Sequence, residues 1–204
     1  IDSLLSNRSV ARSPADTLRN EGFDPAAIAG PDSYGIVTMH RPSNVDHPEA
    51  LESLLRVLKD ISQSLPLVFA LHPRTRGNIE RFGLGDLIKS PSMIMLPPQG
   101  YLEMLGLMAD ARIVLTDSGG LQEETTALGV PCLTMRENTE RPITVDQGTN
   151  TMVGRDIAAI RHHAAEILAG RGKSGRIPEF WDGRTAERIA SDLANWLIQR
   201  HATH

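Results

Sequence analysis

Cysteine, aromatic residues and surplus positive charge are all scarce in this chain of 204 residues. Its single cysteine, Cys132, excludes an internal disulfide and is expected to be a reduced, structural residue within an apolar run. The formal net charge of −4 excludes a general electrostatic attraction to nucleic acid. No apolar run approaches the roughly 20 residues that span a bilayer, so we expect no membrane partner, no signal peptide and a cytoplasmic location.

Short apolar runs recur along the chain, with helical patterns between them. The runs lie at residues 36–39, 67–71, 93–96, 113–116 and 132–135. None alternates strictly with polar residues, which is typical of strands that are covered on both faces. Apolar residues at helical spacing indicate helices after the first, third and fifth runs, and a final helix at residues 184–200. Strand and helix in alternation predict an α/β fold with a doubly wound, Rossmann-like parallel sheet.

The chain is expected to divide near residue 34. Residues 1–34 are interpreted as a helix remnant and a linker, of which residues 6–33 are rich in Ser, Ala, Asp, Gly and Pro and are expected to pack loosely. Residues 35–204 are expected to form the ligand-binding domain, with a flexible turn at residues 170–175. A first residue that is Ile rather than Met is what a domain taken from a longer polypeptide would show.

Histidine and arginine residues follow several of the predicted strands. The carboxyl ends of parallel strands meet at one edge of a sheet, where ligands bind. The cations expected at this edge are His40, Arg41, His72, Arg74, Arg136 and Arg141. In a net acidic chain this concentration indicates an anionic ligand. The alternative is that these cations are simply solvated loop residues.

The stretch LTDSGGLQEE, residues 115–124, joins the fourth strand to a helix. Glycine is a poor former of strands and helices, so the presence of Gly119 and Gly120 at this junction needs another explanation. A helix that begins near Gly120 offers unpaired N–H groups to a phosphate, and Ser118 adds a hydroxyl. Glu124 is placed to accept hydrogen bonds from a ribose diol. The alternative is a tight turn with an acidic first helical turn, and the stretch matches neither the dinucleotide nor the P-loop glycine pattern.

The remaining polar clusters predict no further chemistry. His162 and His163 are adjacent and point to different faces of a helix, so they make a poor metal pair. No Cys/His cluster has the spacing of metal ligands, and no metal is expected. Ser118 is not surrounded by the G-x-S-x-G pattern of a nucleophile elbow.

Five ordered motifs carry a resemblance that covers nearly the whole chain. They are TMHRPSNVD at 38–46, HPRTR at 72–76, LTDSGGLQEE at 115–124, RENTERP at 136–142 and GTNTMVG at 148–154. With them the chain resembles the carboxyl-terminal domain of the non-hydrolysing UDP-N-acetylglucosamine 2-epimerases, which have the GT-B fold. The resemblance implies an isomerase of cell-surface polysaccharide biosynthesis that needs no cofactor. Its reaction would convert UDP-GlcNAc to UDP-ManNAc by anti elimination of UDP and its re-addition.

The resemblance also implies which residues hold the substrate. Ser118, Gly119 and Gly120 would hold the diphosphate, and Glu124 would hold the ribose hydroxyls. His40 would lie beside the diphosphate or the sugar and is the candidate catalytic residue of this chain.

Two further positions are implied to contact the nucleotide, Arg141 and Met104. Met104 stands where some members place an aromatic residue under the uracil, and its thioether also suits a flat base. The chain departs from the common family pattern where Pro42 and Ser43 replace Arg and Glu, and where Ile143 replaces Glu.

The family's enzymes consist of roughly two such domains, with the active site in the cleft between them. The acid–base carboxylates belong to the amino-terminal half, so this chain is expected to bind a UDP-sugar with little or no turnover alone. The implied partners are that half, contacted by a crossing helix at residues 184–200, and a second copy in a full-length homodimer. The alternatives are the nucleotide-sugar domain of a GT-B glycosyltransferase or of the hydrolysing epimerase branch, and a stand-alone nucleotide-sugar sensor.

Overall fold

The computed structural model describes residues 1–28 and 30–202 and contains a sheet of six parallel strands. The strands are β1 (Gly35–Thr38), β2 (Leu67–Ala70), β3 (Met93–Leu96), β4 (Ile113–Thr116), β5 (Cys132–Thr134) and β6 (Asn150–Met152). Their order across the sheet is β3-β2-β1-β4-β5-β6, so the direction of strand addition reverses between β1 and β4. Ligands of open α/β sheets bind beyond the carboxyl ends of the strands at such a point. The predicted doubly wound parallel sheet is confirmed, and β6 is a strand that sequence reasoning missed.

Helices connect the strands and cover both faces of the sheet. Within the described residues the α-helices are α1 (Asp2–Asn7), α2 (Pro14–Asn20), α3 (Pro42–Val45), α4 (Pro48–Ser62), α5 (Pro73–Arg81), α6 (Tyr101–Ala109), α7 (Gly119–Leu128), α8 (Pro142–Asp146), α9 (Ile157–Leu168) and α10 (Thr185–Ala202). Half of them have a proline in the first turn, where the missing N–H would be unpaired anyway. The predicted helices correspond to α4, α6, α9 and α10. Among the described helices, none combines the length and apolar character that a membrane span requires.

The core lies on both sides of the sheet, because alternate strand residues point to opposite faces and both sets are apolar. Val37, Phe69 and Leu115 are buried on one face together with the apolar stripes of α4 and α9. Ile36 and Val68 are buried on the other face with residues of α2 and α6. Strands covered on both faces explain why the apolar runs lack polar alternation.

The segment before β1 is packed more tightly than expected. Leu18 and Ile28 are buried among the residues of the second face. The backbone of Arg12 passes so close to α6 that a Cβ on Gly106 would lie 1.8 Å from the Arg12 carbonyl oxygen. The loose packing expected for residues 6–33 is therefore wrong, while the division of the chain near residue 34 stays a prediction.

Residues 170–175 read GRGKSG, which has the glycine spacing of a dinucleotide-binding loop. Here the stretch follows helix α9 rather than a strand. Lys173 Nζ donates to the carbonyl oxygen of Asn150 at 2.9 Å. A Cβ on Gly175 would lie 2.4 Å from the carbonyl carbon of Gly148. These contacts hold Lys173 and Gly175 against the domain, while the flexibility expected for this turn stays a prediction.

Candidate functional site

The carboxyl ends of β1, β2 and β4 border a cavity of about 210 Å³. Its lining includes His40 after β1, His72 after β2, Ser118 after β4 and Met104 from α6. The rings of His40 and His72 stand 5.5 Å apart between their centroids. A larger cavity of about 510 Å³ lies between α4 and α9, where charged side chains pair with each other. Because that cavity is away from the strand ends, the smaller one is the candidate site.

Helix α7 begins at the edge of this cavity, and its first turn carries the glycine pair. Ser118 is the N-cap residue, and its hydroxyl makes no capping hydrogen bond. Neither Gly119 nor Gly120 has a positive φ. A Cβ on Gly120 would meet no atom of the described chain within 4 Å, and one on Gly119 would lie 3.7 Å from its nearest neighbour, an oxygen of Glu140. Neither backbone conformation nor packing therefore requires glycine at these two positions.

Glu124 lies half-buried on α7, next to Tyr101 at the start of α6. Burial raises the pKa of Glu124, while the hydrogen bond from the Tyr101 hydroxyl acts in the opposite direction. The pKa of Tyr101 is also raised, first by burial and then by the charge of Glu124. A carboxylate with one phenol partner keeps acceptor capacity for further donors. Sequence reasoning missed Tyr101, although its position in the stretch after β3 could have pointed to it.

Asp117, the last residue before Ser118, is fully buried and accepts several hydrogen bonds. Its oxygens accept from the backbone N–H of His40 at 3.0 Å and of Arg41 at 2.9 Å, and from Asn44 Nδ2 at 3.1 Å. His40 Nδ1 lies 3.0 Å from Asp117 Oδ1. Burial on its own would raise the pKa of Asp117, but these hydrogen bonds outweigh it and the pKa lies below its ordinary value. Asp117 thus joins the end of β1 to the start of α7.

The loop between β5 and α8 carries Arg136 and Arg141, and both are ion-paired. Arg136 donates to the two carboxylate oxygens of Glu140 at 2.8 and 2.9 Å. Its hydrogen bonding is the main cause that lowers the pKa of Glu140 to about 2. Arg141 Nε lies 3.0 Å from Glu123 Oε2 on α7. Arg74, after β2, likewise has an aspartate partner. Several cations at the predicted sheet edge are therefore already neutralised by carboxylates.

A buried amide attaches this loop to α7. Gln122 donates from Nε2 to the carbonyl oxygen of Ser118 at 3.2 Å. Its Oε1 accepts from Thr139 Oγ1 at 2.6 Å and from Asn150 Nδ2 at 3.0 Å. Thr139 Oγ1 in turn accepts from the backbone N–H of Arg141 at 2.9 Å. The role of Gln122 was not predicted, because its partners lie 17 and 28 residues away and no local sequence pattern indicates such contacts.

The predicted site residues fall into two groups. Those that line the cavity are His40, Met104 and Ser118. Those on or beside α7, outside that lining, are Gly119, Gly120, Glu124 and Arg141. Their roles in binding stay predictions. In the part of the chain that the structure describes, no group of three or more His, Cys, Asp or Glu residues is arranged to hold a metal ion.

Residues 1–194 match the family model described as UDP-N-acetylglucosamine 2-epimerase. The chain is 37% identical over 200 residues to the UDP-N-acetylglucosamine 2-epimerase of Methanocaldococcus jannaschii, covering 95% of this chain and 52% of that protein. It is 35% identical over 208 residues to the UDP-2,3-diacetamido-2,3-dideoxy-D-glucuronate 2-epimerase of Pseudomonas aeruginosa, covering 88% and 56%. Among solved structures it is similar to the M. jannaschii UDP-GlcNAc 2-epimerase in complex with UDP-GlcNAc and UDP, with a TM-score of 0.77, 36% identity and coverage of 95% and 52%. The chain spans about half the length of these relatives.

Proposed function

The chain belongs to the UDP-N-acetylglucosamine 2-epimerase family, and we propose that it binds the UDP portion of a UDP-sugar at the amino end of α7. A relative of 36% identity is in complex with UDP-GlcNAc and UDP, which supports this ligand. For the whole enzyme that contains this chain, we propose the conversion of UDP-GlcNAc to UDP-ManNAc. The reaction proceeds by anti elimination of UDP and its re-addition with the opposite configuration at C2.

The observation that carries the proposal is the glycine pair. Gly119 and Gly120 lie in the first turn of a helix at the edge of the cavity, and neither conformation nor packing requires glycine there. The reason that remains is the close approach of a ligand to their backbone. First-turn N–H groups have no intrahelical partner, and the helix dipole favours negative charge at this end. A diphosphate fits these donors, with Ser118 and His40 beside it.

The rest of the nucleotide extends along the cavity and α7. Met104 and Leu121 belong to the cavity lining and offer an apolar surface suited to a flat base. Glu124 accepts hydrogen bonds from the ribose diol with the acceptor capacity that Tyr101 leaves free. Arg141 contacts the nucleotide after it exchanges or shares its present carboxylate partner.

In this proposal the chain stabilises the leaving group. Elimination develops negative charge on UDP, and donors that are fixed in place before the reaction stabilise that charge most effectively. The first-turn N–H groups of α7, the Ser118 hydroxyl and His40 are such donors. The acid and base that act at C2 come from the other half of the enzyme. This chain alone is therefore proposed to bind UDP with little or no turnover.

The amino-terminal half of the enzyme is proposed to cover one stripe of α10. Ile189, Leu193, Trp196 and Leu197 recur at helical spacing on this helix and are 55%, 54%, 52% and 49% exposed. A contiguous exposed apolar stripe is typical of a surface that contacts another domain or protein. We also propose that the full-length enzyme is a homodimer and works in the cytoplasm, where the free thiol of Cys132 stays reduced.

Calorimetric titration of the chain with UDP and with uridine tests the binding. UDP is expected to bind, and uridine to bind at least roughly tenfold more weakly, because it lacks the charge that α7 recognises. If UDP produces neither heat nor a shift in melting temperature, the proposal is wrong.

Product analysis with a full-length enzyme containing this chain tests the reaction. UDP-ManNAc from UDP-GlcNAc identifies the epimerase. Free UDP would indicate hydrolysis, and a transferred sugar would indicate a glycosyltransferase. Since the P. aeruginosa relative is named for a different UDP-sugar, the same assay with that substrate decides which sugar the enzyme prefers.

A further inference from the structure

Within the part of the chain that the structure describes, Asp117 is the acidic residue whose side chain is completely buried. A carboxylate has about four acceptor positions on its two oxygens. Four donors occupy them: the backbone N–H groups of His40 and Arg41, Asn44 Nδ2 and His40 Nδ1. A buried charge is tolerated only when it is satisfied in this way. Each of the four groups that face Asp117 must therefore carry a hydrogen.

This requirement decides which nitrogen of His40 carries the proton. A neutral imidazole has one N–H, and the acceptor-only carboxylate of Asp117 needs it at Nδ1. Nε2 then lies on the far side of the ring from Asp117. The ring borders the cavity, and the His40 side chain is 37% exposed. The nitrogen presented to a ligand is thus Nε2.

We propose that Asp117 is the positioning residue of the site, which fixes both the orientation and the tautomer of His40. With Nδ1 paired, the ring presents Nε2 either as an acceptor for a sugar hydroxyl or, when both nitrogens are protonated, as a donor to a phosphate oxygen. In the second case Asp117 balances the charge of the imidazolium. The ligand in this inference rests on the proposed function, whereas the tautomer does not.

Asp117 also fixes His40 relative to the phosphate-binding end of α7. It directly precedes Ser118, and its oxygens accept the backbone N–H groups of His40 and Arg41. The end of β1 and the start of α7 are therefore joined through one side chain. We therefore expect that removing that side chain displaces His40 from the Ser118 hydroxyl and the first-turn N–H groups of α7.

His72 provides an internal contrast. Its Nδ1 accepts the backbone N–H of Arg74 at 3.1 Å, so the neutral His72 ring carries its proton on Nε2. Two neighbouring rings, 5.5 Å apart, are thus held in opposite tautomers by different partners. This difference gives a spectroscopic signature that overall folding alone does not produce.

Nitrogen NMR of the ¹⁵N-histidine-labelled chain without ligand tests the tautomer. The spectra are recorded at about pH 8, because this pH lies above the ordinary histidine pKa of about 6.5. His40→Gln and His72→Gln assign the signals by removing them. We expect the Nδ1–H form for His40 and the Nε2–H form for His72. An Nε2–H form for His40 overturns the proposal, and because this measurement uses the unmodified chain, it decides even if variants at Asp117 fail to fold.

UDP titration of Asp117→Asn, His40→Ala and the double variant tests whether Asp117 acts through His40. We expect Asp117→Asn to weaken binding at least roughly tenfold in the native background and less than about twofold in the His40→Ala background. Equal losses in both backgrounds would mean that Asp117 acts through α7 instead, and would overturn the proposal. If the native chain does not bind UDP, the proposed function is wrong. The tautomer of His40 is measured without ligand, so that result is still decided independently.

Discussion

Replacing Gly120 with alanine is expected to stabilise the free chain and to weaken its binding of UDP. The stabilisation follows from the structure, because a Cβ at this position meets no atom within 4 Å and the backbone has no positive φ. Alanine is favoured over glycine in helices by about 0.5–1 kcal/mol, partly because glycine loses more conformational entropy on folding. For a chain of this size the gain corresponds to a rise in Tm of roughly 1–4 °C.

The weaker binding follows from the proposed position of the diphosphate. A methyl group on Gly120 occupies the space through which a phosphate oxygen approaches the first-turn N–H groups of α7. Losing one hydrogen bond to a charged group costs about 1.5–3 kcal/mol, or roughly a tenfold to a hundredfold increase in Kd. Scanning calorimetry without ligand and titration calorimetry with UDP measure the two effects on the same preparation.

Gly77→Ala is the matched control. Gly77 lies within α5, and a Cβ there also meets no atom within 4 Å. Its substitution is expected to raise Tm by a similar or larger amount and to leave UDP affinity unchanged. If Gly120→Ala raises Tm but binds UDP like the native chain, then the glycine pair does not contact the phosphate. The observation that carries the proposed function would then be lost.

Glu124→Gln is expected to weaken UDP binding by about 1–3 kcal/mol in calorimetry, because the amide loses charge-assisted hydrogen bonds to the ribose. The Tm of the free chain should barely move, and a collapse of stability at unchanged affinity would make Glu124 structural. Gly106→Ala is expected to destabilise the chain by about 2–3 kcal/mol in urea unfolding, because its Cβ would lie 1.8 Å from the Arg12 carbonyl oxygen. An unfolding midpoint equal to that of the native chain would show that the segment around Arg12 shifts to accommodate the new methyl group at no cost in stability. Light scattering is expected to show that the chain self-associates through the apolar stripe of α10, and Leu197→Glu to restore the monomer. A monomeric native chain would argue against an exposed stripe that needs a partner.

Much of the sheet could be predicted from the sequence, because buried parallel strands are continuous apolar runs. Residues 113–116 illustrate this, since the predicted strand and β4 have the same bounds. Strand β6 could not be found in that way, because Asn150 and Thr151 are polar. Asn150 can nevertheless be buried because its amide is hydrogen-bonded, donating to Gln122 and accepting from Thr134. Partners distant in sequence satisfy its amide, so no periodic pattern reports its burial.

The candidate site was predictable only where its residues are neighbours in sequence. Ser118, Gly119 and Gly120 stand together between a strand and a helix, so local rules identify them. Asp117 precedes them, but its importance depends on donors that lie 73 to 77 residues earlier. The partner of Arg141 on α7 likewise depends on the fold. Sequence patterns therefore identified a cationic edge without showing that much of its charge is paired.

That pairing bears on how a net acidic chain would bind a diphosphate. Arg74, Arg136 and Arg141 already have carboxylate partners, so each must share or give up an ion pair before it contacts a ligand. The Ser118 hydroxyl caps no helix N–H, and the first-turn N–H groups of α7 have no intrahelical partner. In the proposed site, binding then depends first on dipoles that the buried polar contacts hold in place, and only second on arginines that must first exchange a carboxylate partner. Donors fixed in advance are also the kind that stabilise charge developing on a leaving group. In the proposed function, the same arrangement would therefore serve both recognition of UDP and its departure from the sugar.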